Sequence, residues 1–324
     1  MEKIKWGVLG TANIARGCTI PGMKLAEQCE LYAIAGRSIE KAESFKQEFG
    51  FQRAYGNYEE LIADKDVQAI YIPLPNNLHL RWVKEALNAG KHVICEKPLA
   101  LNSDEAKEMF DTAEKNGVYL MEAYAYLHSP YVESLKRDIE EGIIGDVDYI
   151  ETAFVTQGYK EDIRLHKDMG GGAMYDLGCY CTTMILSLID SEPEYVKASA
   201  EFTDLGVDSM TAGIIRFQNG VRSAFNVGMV LGEDTDFRYD MLYVHGSKGS
   251  IRSEIEYNQQ GEAGYRIFTP GGIVERKISI PQNYSLEIMQ MCRCISGGEK
   301  PHITPEFSIK NAKLMDKILK EIGY

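Results

Sequence analysis

Three short stretches hold residue types able to move protons and hold charge. "CEKPLALN" (95–102) sets Glu96 and Lys97 before a proline at the end of an apolar run. "MGGGAMYDLGCY" (169–180) runs from a glycine-rich loop into a helical pattern in which Asp176 and Tyr180 are four apart, on one face. "PLPNNLH" (73–79) puts Pro75, Asn76 and His79 where an apolar run gives way to a helix. A tyrosine with an ordinary pKa near 10 is a poor base, but a lysine cation beside it stabilises the phenolate. Tyr180 is thus the candidate general base, Lys97 the cation and Asp176 the orienting carboxylate. A tyrosine–aspartate pair bonded only for structure accounts for the same spacing. His79 reads either as a base or as a helix-start histidine bonded to backbone or cofactor.

Through residue 122, short apolar runs alternate with amphipathic segments. "KWGVLG" (5–10), "LYAIAG" (31–36), "AIYIPL" (69–74), "HVICE" (92–96) and "VYLMEA" (118–123) read as strands. Helical patterns separate them at 38–50, 58–65, 78–90 and 103–117, the last opening on an N-cap serine and closing at a glycine. This alternation predicts an α/β unit, an N-terminal Rossmann doubly wound parallel sheet over residues 1–122, with ligands at the carboxyl edge of its strands. Residues 123–324 read as a second, α+β domain with a large, mostly antiparallel open sheet. Its strands are expected at 146–157, 195–203, 209–217, 221–231, 237–245 and 248–254, with helices near 131–141, 173–190, 284–296 and 308–322. "FQNGVR" (217–222) reads as a hairpin turn with positive φ at both Asn219 and Gly220.

The first strand runs into "GTANIA", where Gly10, Ala12 and Ala15 have the spacing of the dinucleotide fingerprint G-x-G-x-x-G/A. In that motif backbone N–H groups and a helix N-terminus approach a pyrophosphate, so Gly10, Thr11, Ala12, Asn13 and Ile14 are the candidate phosphate-binding residues. Ala12 replaces the glycine that allows the closest approach. After the second strand, where a bare ribose calls for a carboxylate, the chain has Arg37 and Ser38, with Lys41 beyond. A guanidinium fork and a hydroxyl suit a 2′-phosphate, so the expected cofactor is NADP, with NAD the alternative. A solvated basic residue at a helix start is the other reading of Arg37. Pro75, Asn76, His79, Glu96 and Lys97 complete the candidate cofactor-binding set.

Composition bounds the rest. A formal charge of −13 argues against sequence-independent nucleic-acid binding, and no apolar stretch is long enough to span a bilayer. Seven cysteines without a C-x-x-C pair point to reduced thiols and no metal site. The short apolar run after the basic start does not make a secretory signal, so a cytoplasmic location is expected.

Taken in order, "GTANIA", "PNNLH", "EKPLALN" and "GGGAMYDLGCY" resemble the glucose-fructose oxidoreductase / inositol dehydrogenase / rhizopine catabolism (Gfo/Idh/MocA) family over nearly the whole chain. Tyrosine at position 180, with "EAYAYLHSP" (122–130), is most similar to the dimeric dihydrodiol dehydrogenase and NADP-dependent D-xylose 1-dehydrogenase branch, although Leu127 stands where that branch has arginine. The resemblance implies that Lys97 faces nicotinamide and substrate, that Asp176 and Tyr180 are the motif's catalytic pair, and that the C-terminal sheet mediates a homodimer or homotetramer. It further implies hydride transfer between NAD(P) and a sugar or cyclic polyol hydroxyl. Internal recycling of a retained cofactor, or nucleotide sensing without turnover, are the rival expectations. Arg164, His166 and His128 read as substrate contacts or as solvated loop residues.

Overall fold

The structure, a computed structural model of the 324-residue chain, describes residues 3–232, 238–254, 257 and 260–324. The chain divides into two compact units: residues 1–128 with 281–309, and residues 129–280 with 310–324.

In the first unit, β1 (Ile4–Leu9), β2 (Cys29–Ala35), β3 (Arg53–Tyr55), β4 (Ala69–Ile72), β5 (His92–Glu96) and β6 (Leu120–Ala123) form a parallel sheet of order β3-β2-β1-β4-β5-β6. The strands are apolar runs because helices cover both faces, and all four residues of β4 are buried. Between them lie α1 (Ile20–Leu25), α2 (Ile39–Phe49), α3 (Tyr58–Ala63), α4 (His79–Asn88) and α5 (Ser103–Asn116). Strand order reverses between β1 and β4, which opens a crevice at their carboxyl ends. Side-chain oxygens of Ser38, Asn57 and Asn102 accept backbone N–H groups three residues on and so start α2, α3 and α5. The cap of α5 is therefore Asn102, whose carboxamide reaches Glu105 N–H at 2.9 Å, and Ser103 is the first helical residue.

The second unit opens with α6 (Pro130–Glu140). β7 (Val147–Gln157), α7 (Cys179–Leu188), β8 (Pro193–Phe202), β9 (Asp208–Phe217), β10 (Arg222–Leu231), β11 (Arg238–Gly246), β12 (Gly249–Ser253), β13 (Gly261–Thr269) and β14 (Gly272–Ile280) follow. The strands form one sheet, β14-β13-β12-β11-β7-β10-β9-β8, antiparallel except for β7 against β10. Ile150, Thr152 and Phe154 of β7 and Leu242 and Val244 of β11 are buried on the face that α7 covers. The sequence reading anticipates neither β3 nor the β13–β14 hairpin, and position 237 of the strand expected at 237–245 lies outside the described residues. The β9–β10 hairpin forms, but Gly220 alone carries positive φ (+89°), since no described non-glycine residue does. A turn followed by one left-handed glycine closes it.

The domain boundary expected at 122 differs from the packing. α8 (Asn283–Gly297) belongs with the first unit, and α9 (Pro305–Ile322) begins there and ends in the second. α8 docks on α1, where Gln282 donates its side-chain N–H to the carbonyl of Cys18 at 3.0 Å. A Cβ on Gly22 would fall 2.8 Å from Tyr284 Cβ and 2.9 Å from Ser285 N, so the helices meet at a distance only glycine permits. Among the described residues no helix is long and apolar enough to cross a membrane.

Overpacking this contact with Gly22→Val is expected to destabilise the fold by about 1–3 kcal/mol, read as a lowered urea midpoint at unchanged slope. An unchanged midpoint would mean that α8 does not hold the first unit together.

Candidate active site

At the carboxyl edge of the first sheet, Gly10 takes φ +132°, and its N–H donates to the Ala35 carbonyl at 2.9 Å. A Cβ there would lie 2.9 Å from Leu74 Cδ2, so the turn requires glycine. Thr11 and Ala12 lead into a helix that starts at Asn13 and passes through a π-helical turn, Ala15–Thr19, before α1. Its first N–H groups lack intrahelical acceptors and point to where a phosphate would sit. This cradle fits a dinucleotide. Gly36, after β2, lies in ordinary contact range of Thr11, while a Cβ there would crowd the Ser38 carbonyl oxygen at 3.1 Å. Arg37 is exposed beside this contact, whereas the Ser38 hydroxyl caps α2 and bonds Glu40, whose pKa it helps to lower.

Pro75 and Asn76 form the turn after β4, and His79 follows at the head of α4. The His79 ring is fully buried against three carbonyls: Nε2 lies 2.8 Å from that of Leu74, and Nδ1 3.1 and 3.2 Å from those of Pro98 and Leu99. Burial pushes its pKa below the ordinary value while the carbonyls pull it up. It is a staple between two ligand-edge loops, with no imidazole nitrogen left to act as a base.

β5 ends at Glu96, Lys97 follows directly, and the Lys97–Pro98 bond is cis. Glu96 accepts a short hydrogen bond from Tyr71, whose oxygen in turn accepts the Thr19 hydroxyl at 2.9 Å. Two further buried carboxyls surround this strand end. Glu122 accepts Leu99 N–H at 2.9 Å, and burial raises its pKa. Glu287, on α8, is fully buried with neither carboxyl oxygen hydrogen-bonded, and burial, aided by Glu96, lifts its pKa well above the ordinary range.

In the second unit the glycine-rich loop is read out residue by residue. Gly170 closes a short turn in the left-handed region. A Cβ on Gly171 would fall 2.4 Å from the Arg164 carbonyl oxygen, and one on Gly172 2.2 Å from Asp208 Oδ1. The helix that follows opens with a π-helical turn, Met174–Gly178, and continues as α7, which carries Tyr180. Asp176, within that turn, accepts a charge-assisted bond from Arg164 Nε at 2.6 Å. Tyr180 is buried beside Phe154 and Tyr257, with ring centroids 5.5 and 5.3 Å away, and Phe154 and Tyr257 stack at 5.0 Å. Arg238 lies 4.3 Å over the Phe154 ring and pairs with buried Asp240 at 2.7 Å.

The structure thus gathers Gly10 to Ile14, Arg37, Ser38, Pro75, Asn76, His79, Glu96 and Lys97 on one sheet edge, and Asp176 with Tyr180 at one helix head. His166 lends its carbonyl to Gly171 N–H at 2.9 Å. His128 is buried beside His302, with centroids 5.0 Å apart, and its pKa falls to about 3 through burial. Sequence reasoning passes over Phe154, Tyr257, Arg238 and the Arg164–Asp176 pair. Only Phe154 carries a local signal, its two-residue alternation with Ile150 and Thr152.

A 3-2-1-4-5-6 parallel sheet with a glycine turn at its switch point is the dinucleotide-binding fold. Residues 4–124 match the oxidoreductase family with an NAD-binding Rossmann fold, and residues 132–252 match the GFO/IDH/MocA C-terminal domain. The chain belongs to the GFO/IDH/MocA oxidoreductase family, and it is an NAD(P)-dependent enzyme acting on CH–OH groups. It is 30% identical to D-xylose 1-dehydrogenase (NADP(+)) 2 of Haloferax volcanii, over 97% of this chain and 95% of that protein. It is also 30% identical to trans-1,2-dihydrobenzene-1,2-diol dehydrogenase of Xenopus tropicalis, over 98% of each. The crystal structure of KijD10, a 3-ketoreductase from Actinomadura kijaniata in complex with NADP and TDP-benzene, superposes with a TM-score of 0.92 at 27% identity, covering 99% of this chain and 98% of that one.

A folded-state pKa raised above the unfolded value makes Glu287 cost stability as pH rises from about 4.3 towards that folded pKa. Glu287→Gln has no such loss, so its melting temperature should exceed the parent's by a margin that widens from pH 4.5 to pH 8. A margin that stayed constant with pH would mean the carboxyl is ionised in the folded protein.

Proposed function

We propose that the enzyme is an NADP-dependent dehydrogenase that oxidises a hydroxyl of a pyranose or related cyclic polyol. What supports this reading is that a chain of this family carries both Lys97, just after β5, and Asp176 with Tyr180 at a glycine-loop helix head. In this reading Tyr180 takes the hydroxyl proton, Lys97 supplies the cation, and Asp176 orients the substrate. When bound, the nicotinamide supplies the hydride acceptor, at C4. Oxidation at an anomeric carbon gives a lactone. The dehydrogenases of H. volcanii and X. tropicalis are named for a pentose and a cyclic diol, and the Phe154, Tyr180 and Tyr257 rings suit the apolar face of such a ring substrate.

NADP rather than NAD rests on Arg37, exposed at the end of β2 where a 2′-phosphate calls for a cation. The seven free thiols favour the cytoplasm.

The uncovered face of the large sheet supports self-association as a homodimer or homotetramer. Tyr239 and Ile214 are about half exposed there, Arg252 lies 4.8 Å over the Phe268 ring and 5.6 Å over that of Tyr243, and Tyr149 stands 6.4 Å from Tyr243. Aromatic and arginine side chains on an open apolar face are typical of subunit interfaces.

Initial rates of cofactor reduction, with NADP and NAD separately, across aldopyranoses, inositols and a trans-dihydrodiol test the reading. Tyr180→Phe should lower kcat roughly 10²- to 10⁴-fold with NADP binding retained, and Arg37→Ala should raise the KM for NADP but not for NAD. Full activity in Tyr180→Phe would remove it as the base. In sedimentation, Tyr243→Glu should shift the oligomer towards monomer, and a native protein that already sediments as a monomer would sink the interface.

A further inference from the structure

We infer that Arg164 is the positioning residue for Asp176, an ionic strut that ties the 158–168 loop to the helix head and acts on turnover only through that aspartate. The inference rests on the reading above and assigns a role to a side chain that its sequence context leaves open. Arg164 divides its guanidinium between two carboxylates: Nε donates to Asp176 Oδ2 at 2.6 Å, and Nη1 to Asp162 Oδ1 at 2.9 Å. Asp162 lies two residues away on the loop, and Asp176 twelve residues on in the π-helical turn. The guanidinium also lies 4.9 Å over the Tyr159 ring, and the Asp176 charge raises its pKa, so it stays a cation throughout.

The backbone locks the same junction. The Arg164 carbonyl accepts Gly172 N–H at 2.8 Å, and the room for this approach exists because position 171 has no side chain. The side chain of Arg164 is 34% exposed and that of Asp176 12%, so the pair is held largely out of water, where the bond is stronger than at a surface. A guanidinium engaged in this way has two of its five N–H donors committed to carboxylates. Its chemistry is orientation: of the two Asp176 oxygens, Oδ2 is fixed by the loop, and the loop is fixed by Asp176.

A double-mutant cycle on kcat tests this, with Arg164→Gln, Asp176→Asn and the double variant assayed with NADP and whichever aldopyranose or cyclic diol turns over fastest in the panel above. Arg164→Gln is expected to lower kcat about 10- to 100-fold while KM for NADP stays within about 2-fold, and Arg164→Lys to recover most of the loss. The double variant should be no slower than Asp176→Asn alone, because a residue acting through Asp176 has nothing to add once its carboxylate is gone. If the two losses multiplied instead, or if Arg164→Gln raised only the KM for sugar at unchanged kcat, Arg164 would be an independent substrate contact and the inference would fall. Should Arg164→Gln not fold, the cycle is run with Arg164→Lys, and the same comparison decides. Tyr180→Phe separates the two levels: if it too leaves turnover intact, or if no panel member is oxidised, the dehydrogenase reading itself fails, whereas a damaged Tyr180→Phe with an undamaged Arg164→Gln overturns the strut alone.

Discussion

Much of the second unit hangs on one buried carboxylate. Asp208, at the first position of β9, is wholly enclosed, and burial raises its pKa against hydrogen bonds from Thr211, Tyr324 and Met174 that favour the ion. Oδ2 accepts Met174 N–H at 2.9 Å and the Thr211 hydroxyl at 2.7 Å, while Oδ1 accepts the Tyr324 hydroxyl at 2.9 Å. It caps a helix to which it is not adjacent in sequence. An ordinary N-cap is supplied by the residue before the helix, but here that position belongs to glycines that must let Asp208 and the Arg164 carbonyl come close. The registers of β9 and of its hairpin with β10 therefore decide where Asp176 and Tyr180 point.

The two helix heads that matter share a device. Each follows a loop whose glycines are required by contact or by positive φ, and each has a π-helical turn near its start, Ala15–Thr19 in one unit and Met174–Gly178 in the other. Such turns widen the helix locally and recur at functional sites. In the first unit the widened turn brings Thr19 to Tyr71, and through it to Glu96. The glutamate before Lys97 is thus the end of a hydrogen-bonded chain that starts beneath the phosphate cradle.

The fold was legible wherever the pattern is local. Apolar runs alternating with capped amphipathic segments announce the strands of the first sheet and their parallel, doubly wound arrangement, apart from β3, whose three residues are too few to show a period. β13 and β14 escaped for another reason: their exposed positions carry Glu262, Arg266, Glu275 and Lys277, the charges that blunt a sheet edge, and these mask the alternation of Tyr265 and Ile267. Among site residues, Lys97, Asp176, Tyr180 and Gly10 stand in motifs whose spacing is itself the signal. Arg164 on Asp176, Asp208 on Met174 and Glu287 beneath β5 arise from contacts between distant segments, and nothing in the flanking residues announces them. His79 stands at the head of α4, where its place in "PNNLH" puts it, but its three carbonyl partners come from two loops that sequence alone does not bring together.

Neither unit is a continuous piece of chain. The first takes residues 281–309 back after the second has begun, and α9 then returns to the second. During synthesis, the nucleotide-binding unit therefore lacks α8, and with it Tyr284, Glu287 and the partner of Gly22, until the whole of the second unit's sheet has been made. The face of α1 that α8 covers has no partner for that interval, and the first unit is completed after the second unit's sheet rather than before it.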